Sequence, residues 1–345
     1  MNLADLNKVA LAMVTPGKGI LAADESSGTI KKRFDAIKVE STEESRRDYR
    51  EMLFRSTEAM SKYISGVILY DETIWQNAKD GTPLIKLIEQ AGAIPGIKVD
   101  EGTQALPNCP GELVTAGLDK LAERLKKYYE RGARFAKWRA VIDIGQHIPT
   151  MTAISVNAHA LARYAALCQA AQIVPIVEPE VLMDGDHDID RCFEVTQRVL
   201  NKTFQELRVQ RVALEGMVLK PNMAISGKKS AKQASVEEVA EKTIRMLKAC
   251  VPAAVPGIAF LSGGQSDEQA TAHLNAMNRI GGLNGHLPWR LTFSYGRALQ
   301  AAPQTAWSGK AENVAAGQRA FTHRARMNAL ASRGEWETGL EKKVA

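Results

Sequence analysis

The feature that most constrains the fold is a repeated alternation of short apolar runs with helical patterns. Eight runs rich in β-branched or aliphatic residues recur along the 345 residues, each leading through polar or glycine-containing sequence into a helical segment. They span residues 19–24, 66–70, 94–100, 133–139, 173–178, 216–220, 257–262 and 290–295. Strands that are continuously apolar and alternate with helices are typical of a parallel sheet covered on both faces.

Eight such units predict an α/β fold, a closed (β/α)8 or TIM barrel, as a single domain over residues 1–345. No linker rich in Pro, Gly or Ser divides the chain, although a doubly wound open sheet is an alternative with the same alternation. Within this domain, residues 1–15 are predicted to form a short amphipathic N-terminal helix and residues 335–345 a short C-terminal tail.

Composition restricts the cellular compartment and the partners expected for this domain. The four cysteines are far apart and include no CxxC pair, which favours free thiols in a reducing cytoplasm over a disulfide framework. No stretch approaches the roughly 18 apolar residues of a membrane span, and the N-terminus lacks the pattern of a secretory signal. The net charge of +6 suits an anionic partner, but scattered basic doublets do not resemble a nucleic-acid-binding surface. We therefore expect a cytoplasmic protein without membrane or nucleic-acid partners.

Ionisable residues fall at the ends of the predicted strands. A charged side chain is costly in the middle of a barrel strand, which is buried on both faces, and is tolerated at the carboxyl mouth, where barrel active sites lie. Six of the eight runs end on or near such a residue, namely Asp24, Lys98 with Asp100, Lys137 with Arg139, Glu178, Lys220 and Arg297. Their convergence on one mouth predicts an active site.

This set of residues predicts chemistry at a lysine amine. A lysine with a pKa near ~10.4 is protonated at neutral pH and cannot attack a carbonyl, but a second ammonium nearby and partial desolvation lower such a pKa. Lys137 and Lys220 belong to the fourth and sixth strands, so they can face each other across the lumen, and Glu178 on the strand between them can shuttle protons. An iminium on Lys220 would act as an electron sink for cleavage of an adjacent carbon–carbon bond.

Two glycine loops follow the last two strands. They contain Ser262, Gly263 and Gly264 after the seventh strand and Ser294, Gly296 and Arg297 after the eighth. Barrel enzymes frequently bind phosphate at these two loops, because glycines let backbone amides approach the anion and an arginine adds a bidentate donor. The loops therefore predict a phosphorylated substrate.

Two look-alike motifs carry no such prediction, and neither do the histidines. The string LSGGQ at 261–265 resembles the signature of transporter-type ATPases, but the chain has no GxxxxGK[ST] loop to accompany it. The acidic stretch 184–188 lacks the terminal Glu and the spacing of an EF-hand, and we interpret it as a solvated turn. The six histidines show neither HxH nor HxxxH spacing. We predict no metal site and no cofactor.

Six segments in the right order resemble class I fructose-bisphosphate aldolases, which use a Schiff base. They are LAADES at 21–26, FAKWR at 135–139, IVEPE at 176–180, LKPN at 219–222, LSGGQS at 261–266 and FSYGRA at 293–298. The resemblance runs from about residue 4 to about residue 335. It implies a metal-independent lyase that cleaves fructose 1,6-bisphosphate reversibly to dihydroxyacetone phosphate and glyceraldehyde 3-phosphate in glycolysis and gluconeogenesis, as a homotetramer.

The resemblance also implies roles for particular residues. Lys220 matches the Schiff-base lysine, Glu178 the acid/base of imine formation, Lys137 the neighbouring lysine at the ketose carbon, and Asp24 the carboxylate that takes the C4 hydroxyl proton. The ketone-side phosphate site matches Ser262, Gly263, Gly296 and Arg297. The other phosphate and the sugar hydroxyls match Ser26, Thr29, Arg33, Lys98 and Arg139, where Thr29 replaces the Ser of better-known members but keeps the hydroxyl.

A larger departure from the family pattern than Thr29 concerns the C-terminal end. Better-known members end in a mobile tail whose last residue is a tyrosine that assists proton exchange on the bound triose, and this sequence has no tyrosine after Tyr295. A different ketose phosphate, such as fructose 1-phosphate, therefore stands as an alternative substrate. A binding role for acidic peptides or polymers at the basic mouth is an alternative of another class.

Overall fold

The computed structural model describes residues 2–283 and 287–342. Its strands, in chain order, are β1 Gly19–Ala23, β2 Ile64–Leu69, β3 Ile94–Lys98, β4 Thr103–Ala105, β5 Leu113–Thr115, β6 Phe135–Ile142, β7 Val174–Val181, β8 Val218–Leu219, β9 Gly257–Phe260 and β10 Arg290–Tyr295. Eight of them close a barrel in the order β1-β10-β9-β8-β7-β6-β3-β2, while β4 and β5 form a separate antiparallel pair. Every barrel pair is parallel. The predicted (β/α)8 barrel is confirmed.

Helices connect and surround the strands. They are α1 Leu3–Met13, α2 Ser27–Ala36, α3 Glu43–Phe54, α4 Thr57–Lys62, α5 Asp71–Trp75, α6 Leu84–Gln90, α7 Leu121–Arg131, α8 Met151–Ala170, α9 Ile189–Val209, α10 Val236–Cys250, α11 Asp267–Leu283, α12 Arg297–Trp307 and α13 Val314–Ala331. The larger of the apolar clusters lies between these helices and the outer faces of the strands. No helix in the described part of the chain is long and apolar enough to cross a membrane.

Helix α1 packs at the lower end of the barrel. Leu6, Ala10 and Met13 lie on one face of this helix because helical neighbours recur every three to four residues. All three are buried and belong to the same apolar cluster as the lumen side chains of the strands. The amphipathic pattern of the first residues thus produces a plug for the amino-terminal end of the barrel.

Alternate residues of each strand point into the lumen, where apolar side chains lie below charged ones. In β6, Phe135 belongs to the lumen cluster, so Lys137 and Arg139 point to the same side at successively higher levels. In β7, Val174 and Ile176 belong to that cluster, and Glu178 and Glu180 follow on the same face. The same alternation leads from Ile20 and Ala22 to Asp24, and from Val218 to Lys220.

The sixth predicted strand is much shorter than its apolar run. The run at 216–220 contributes only two residues to β8, because a 3-10 turn occupies Leu214–Gly216. Lys220 remains attached to the sheet, since its backbone N–H donates to the carbonyl of Val177 over 2.8 Å. Pro221, which follows, has no N–H with which to extend the ladder.

The ring of Phe135 fills the lower lumen so closely that Gly96 cannot carry a side chain. A Cβ added at Gly96 would lie 2.2 Å from Cε2 of Phe135, whose side chain is buried. We expect Gly96→Ala to lower the free energy of unfolding by about 2 kcal/mol, in the range typical of overpacked cores. Denaturant titration followed by circular dichroism measures it.

A matched control for Gly96 lies in α2. A Cβ added at Gly28 has no atom within 4 Å, so Gly28→Ala adds the same methyl group without a clash and gains helix propensity. Adding Phe135→Leu to Gly96→Ala should recover part of the loss. Equal stability of the Gly96 and Gly28 variants would contradict this account of the lumen.

Candidate active site

The carboxyl ends of the barrel strands surround a cavity of about 790 Å³. Its lining contains all of the site residues predicted from the sequence except Gly264: Asp24, Ser26, Thr29, Arg33, Lys98, Lys137, Arg139, Glu178, Lys220, Ser262, Gly263, Ser294, Gly296 and Arg297. Gly264 has a φ of +76° and lies beside Met183 and Lys228, so it turns the loop instead of lining the cavity.

Four charged groups form a chain of alternating sign in the centre of the cavity. Nζ of Lys220 lies 3.1 Å from Oε1 of Glu178, and the other carboxylate oxygen, Oε2, lies 3.4 Å from Nζ of Lys137. Nζ of Lys137 is in turn 2.8 Å from Oδ2 of Asp24. Lys137, Glu178 and Lys220 are each at most 5% exposed. Buried charges are costly unless paired, and here each one faces a charge of opposite sign.

The surrounding charges determine the protonation states of Asp24 and Lys137. Burial alone would raise the pKa of Asp24, but Lys137, Lys220 and Lys98 outweigh it and hold that pKa well below its ordinary value. Burial alone would lower the pKa of Lys137, but the attraction of Asp24, Glu178 and Asp100 raises it well above its ordinary value. Asp24 is therefore a carboxylate and Lys137 an ammonium at neutral pH.

Three further cations at the mouth are each held by a carboxylate. Lys98 pairs with Asp100 over 2.8 Å between Nζ and Oδ1. Nε of Arg139 donates to Oε2 of Glu180, and Nη1 of Arg33 donates to Oε1 of Glu25. Because each cation is oriented by its counterion, less side-chain freedom is lost when an anion binds.

The two glycine loops lie together at the closure between β9, β10 and β1. The side chain of Arg297 turns back over the first loop, where Nη2 donates to the carbonyl oxygens of Ser262 and Gln265. The guanidinium of Arg33 lies on the same wall, since a Cβ built on Gly296 would be 3.7 Å from its Nη2. The resemblance associates Arg33 with the other phosphate, whereas the geometry brings it next to the Gly296–Arg297 turn.

The remaining predicted residues contribute hydroxyl groups. Ser26 occupies the N-cap position of α2, and its Oγ is 3.1 Å from Oγ1 of Thr29, so the two hydroxyls form a pair at the edge of the cavity. Ser294 is buried, and its Oγ makes no hydrogen bond within the described residues. These hydroxyls can donate to or accept from a bound oxyanion or sugar hydroxyl.

Sequence reasoning missed two of the three carboxylates that hold the mouth cations, Glu180 and Glu25. Glu180 follows Glu178 by two residues in β7, so the strand period alone places it on the lumen face. Glu25 lies directly after Asp24, and its partner Arg33 lies eight residues further along the chain. Nothing in the sequence pattern pairs Glu25 with Arg33, because an irregular turn separates β1 from α2.

A closed parallel barrel with buried, ion-paired lysines and carboxylates at its carboxyl mouth defines a (β/α)8-barrel enzyme whose reactive groups lie at the strand ends. The family model for fructose-bisphosphate aldolase class-I matches residues 5–345. The probable fructose-bisphosphate aldolase class 1 of Xanthomonas campestris pv. campestris is 57% identical over 98% of this chain and 100% of that protein. The cytosolic fructose-bisphosphate aldolase 4 of Arabidopsis thaliana is 53% identical over 94% and 81%, respectively.

A solved structure supports the same conclusion. The fructose-bisphosphate aldolase of Plasmodium falciparum, in complex with TRAP and a small-molecule inhibitor, superposes with a TM-score of 0.95 at 48% identity over 98% of this chain and 96% of that one. The chain belongs to the class I fructose-bisphosphate aldolase family and is a lyase. The family predicted from the six sequence segments is confirmed.

Proposed function

We propose that the protein cleaves D-fructose 1,6-bisphosphate reversibly to dihydroxyacetone phosphate and D-glyceraldehyde 3-phosphate through a Schiff base at Lys220. The observation that carries the proposal is the buried series of charged groups Lys220–Glu178–Lys137–Asp24, which places an amine beside a carboxylate in the cavity at the carboxyl ends of the strands. An imine mechanism needs both a nucleophilic amine and a group that moves its protons.

The proposed steps use Lys220, Glu178 and Asp24 in turn. The unprotonated amine of Lys220 attacks the C2 carbonyl, and Glu178, 3.1 Å away, exchanges the protons needed to expel water from the carbinolamine. Asp24 then takes the proton of the C4 hydroxyl, the C3–C4 bond breaks, and its electron pair moves into the iminium to form an enamine. Protonation of the enamine at C3 and hydrolysis of the resulting imine release dihydroxyacetone phosphate and the free lysine.

Lys137 has a different proposed role. Its raised pKa keeps it an ammonium, so it is a donor and a positive charge beside the reacting C2 oxygen, not a second nucleophile. An ammonium between Glu178 and Asp24 also stabilises two neighbouring carboxylates in one buried site.

Two groups of donors support binding of the two phosphates. The proposed ketone-side site contains Ser262, Gly263, Ser294, Gly296 and Arg297, and the proposed second site contains Ser26, Thr29, Lys98 and Arg139. Arg33 lies beside the Gly296–Arg297 turn and is available to the first. Glycine backbone amides and arginine side chains suit a phosphate dianion.

We also propose the setting in which this reaction runs. A cytoplasmic enzyme of glycolysis and gluconeogenesis is supported by the family and by the cytosolic relative from Arabidopsis thaliana. A single catalytic domain over residues 1–345 is supported by the family match, which spans residues 5–345. A homotetramer that needs neither metal nor cofactor completes the proposal, which rests for this part on the family resemblance.

Reductive trapping tests the mechanism on the unaltered protein. Borohydride added with dihydroxyacetone phosphate should attach one triose irreversibly to Lys220, as peptide mass spectrometry would show, and activity should be lost in parallel. Cleavage of fructose 1,6-bisphosphate should be the same with and without EDTA. An adduct on another lysine, or activity that EDTA abolishes, would sink the proposal, and faster turnover of fructose 1-phosphate would favour the alternative substrate.

A further inference from the structure

Gln300 is a buried amide that joins two loops across the closure of the barrel. It lies in the first turn of α12, three residues after Arg297, and none of its surface is exposed. Its Nε2 donates to the carbonyl oxygen of Ala22 and to Oε1 of Glu25, each over 2.7 Å. Its Oε1 accepts a hydrogen bond of 3.1 Å from the hydroxyl of Tyr49. Both donor hydrogens and the acceptor of this side chain are therefore used.

On the β1 side, Gln300 acts on Arg33 through Glu25. The Glu25 carboxylate is 6% exposed, and its Oε1 accepts from both Gln300 and Nη1 of Arg33. Its other oxygen, Oε2, has no hydrogen-bond partner in the described part of the chain. The orientation of this carboxylate, and with it that of the Arg33 guanidinium, thus depends on the amide of Gln300.

On the β10 side, Gln300 acts on the Gly296–Arg297 turn through the helix itself. Its backbone N–H donates to the carbonyl of Gly296 over 3.1 Å, which is a bond of the first turn of α12. Anchoring the Gln300 side chain to Ala22 therefore anchors that turn to the end of β1. Arg33 and the Gly296–Arg297 turn therefore lie on one wall of the cavity, and the side chain of Gln300 sets the distance between them.

We infer that Gln300 is a positioning residue for phosphate recognition, which sets the Arg33 guanidinium against the backbone amides of the Gly296–Arg297 turn so that both contact one phosphate group of the substrate. This inference rests on the proposed function and names a determinant of substrate affinity within the same site. An amide suits position 300 and a carboxylate does not, because a carboxylate there would face the Glu25 carboxylate and the Ala22 carbonyl, both acceptors.

Gln300→Met tests the inference, because methionine keeps the length of the side chain and removes its hydrogen bonds. We expect KM for fructose 1,6-bisphosphate to rise about tenfold, as loss of a hydrogen bond to a charged group predicts, with kcat within about threefold of wild type. The dissociation constant of inorganic phosphate, measured by calorimetry on the resting enzyme, should rise by a similar factor. A fall in kcat at unchanged KM, or unchanged phosphate binding, would overturn the inference.

Gln304→Met is the matched control. Gln304 lies one turn further along α12 and is 5% exposed. Its side chain lies near the Tyr49 hydroxyl but, within the described residues, its Nε2 makes no hydrogen bond to Glu25 or to the carbonyl of Ala22. It is the same substitution in the same helix, and we expect KM and phosphate affinity close to wild type. An equal rise in KM for both variants would show a general effect of the helix and would refute the role assigned to Gln300.

A double-mutant cycle with Glu25→Gln separates positioning from stability. If Gln300 acts through Glu25, the rise in KM of the double variant stays well below the product of the two single rises, because both changes break one network. Multiplying effects would contradict the inference.

Tyr49→Phe provides a second test if Gln300→Met does not fold. It removes only the hydroxyl that donates to Gln300 at the described geometry, and we expect KM to rise about two- to threefold with kcat unchanged. An unchanged KM would count against the inference.

Failure of the proposed function has a different signature. Wild-type enzyme would then fail to cleave fructose 1,6-bisphosphate or to form the borohydride adduct, whatever residue stands at position 300. If wild type passes both tests and Gln300→Met matches it in KM and phosphate affinity, only the inference about Gln300 falls.

Discussion

Replacing Lys220 with methionine should reduce kcat by about 10⁴-fold or more, the scale seen when a covalent nucleophile is removed from an enzyme. Methionine fills a similar volume in the cavity but has no amine with which to form the imine. The 4% exposure of Lys220 and its contact with Glu178 place the lost group at the centre of the site. Initial rates of fructose 1,6-bisphosphate cleavage and borohydride trapping measure the change.

The control for this experiment is Lys229→Met, which removes an equal charge from an exposed loop position. Its kcat and its adduct yield should match those of wild type. If Lys220→Met kept a tenth of the wild-type rate, or still formed a borohydride-trapped adduct with dihydroxyacetone phosphate, the imine mechanism at Lys220 would be wrong. Circular dichroism and a thermal midpoint establish that both variants remain folded.

Replacing Lys137 with methionine should lower both activity and stability. The substitution leaves Glu178 and Asp24 as buried carboxylates that have lost the cation between them. We expect kcat to fall about 10³-fold, as loss of an electrostatic group at the reacting atoms predicts. The free energy of unfolding at pH 7.5 should fall by about 3 kcal/mol, which is typical when one member of a buried ion pair is removed.

The stability loss in the Lys137 variant should depend on pH in a definite direction. In wild type the lowered pKa of Asp24 stabilises the fold above the unfolded value of 3.8, and this stability is lost as the pH falls through the folded pKa. The raised pKa of Lys137 stabilises the fold below the unfolded value of 10.5, and this stability is lost as the pH rises through the folded pKa. Their contributions are therefore both present at pH 5 and at pH 7.5.

Without Lys137 the balance at Asp24 shifts toward the protonated form, since burial disfavours its charge. The folded variant then takes up protons more readily than the unfolded chain, so its stability deficit relative to wild type should shrink between pH 7.5 and pH 5. Urea titrations of both proteins at the two pH values measure the difference. A deficit that grew in acid would rule out the alternating chain of charges as its cause.

The barrel itself was predictable because it rests on local patterns. Apolar runs such as 173–178 have the length and β-branched content of buried strands, and their alternation with helices leaves few topologies. The position of the lysines was predictable for a related reason. A charge two residues beyond a lumen residue, as Lys137 is beyond Phe135, must lie on the lumen face at a higher level.

The contacts among the charged groups were less predictable. The sequence places Glu178 on the strand between Lys137 and Lys220, but only the structure shows that its two carboxylate oxygens face one lysine each. Gly264 is a second case, since the sequence predicts a phosphate-binding glycine there and that role stays a prediction. The structure adds that Gly264 has a φ of +76° and, unlike Gly263, does not line the cavity.

What the sequence determined by itself is therefore the order of strands and helices, the face on which each strand residue lies, and which charged residues reach the carboxyl mouth. What only the tertiary structure decided is which of those residues meet. Gln300 reaches Glu25 across 275 positions of chain, and it does so only because β1 and β10 pair and close the barrel. Residue pattern is a property of neighbours along the chain, whereas partner choice across a closed sheet depends on the register and packing of every strand between them.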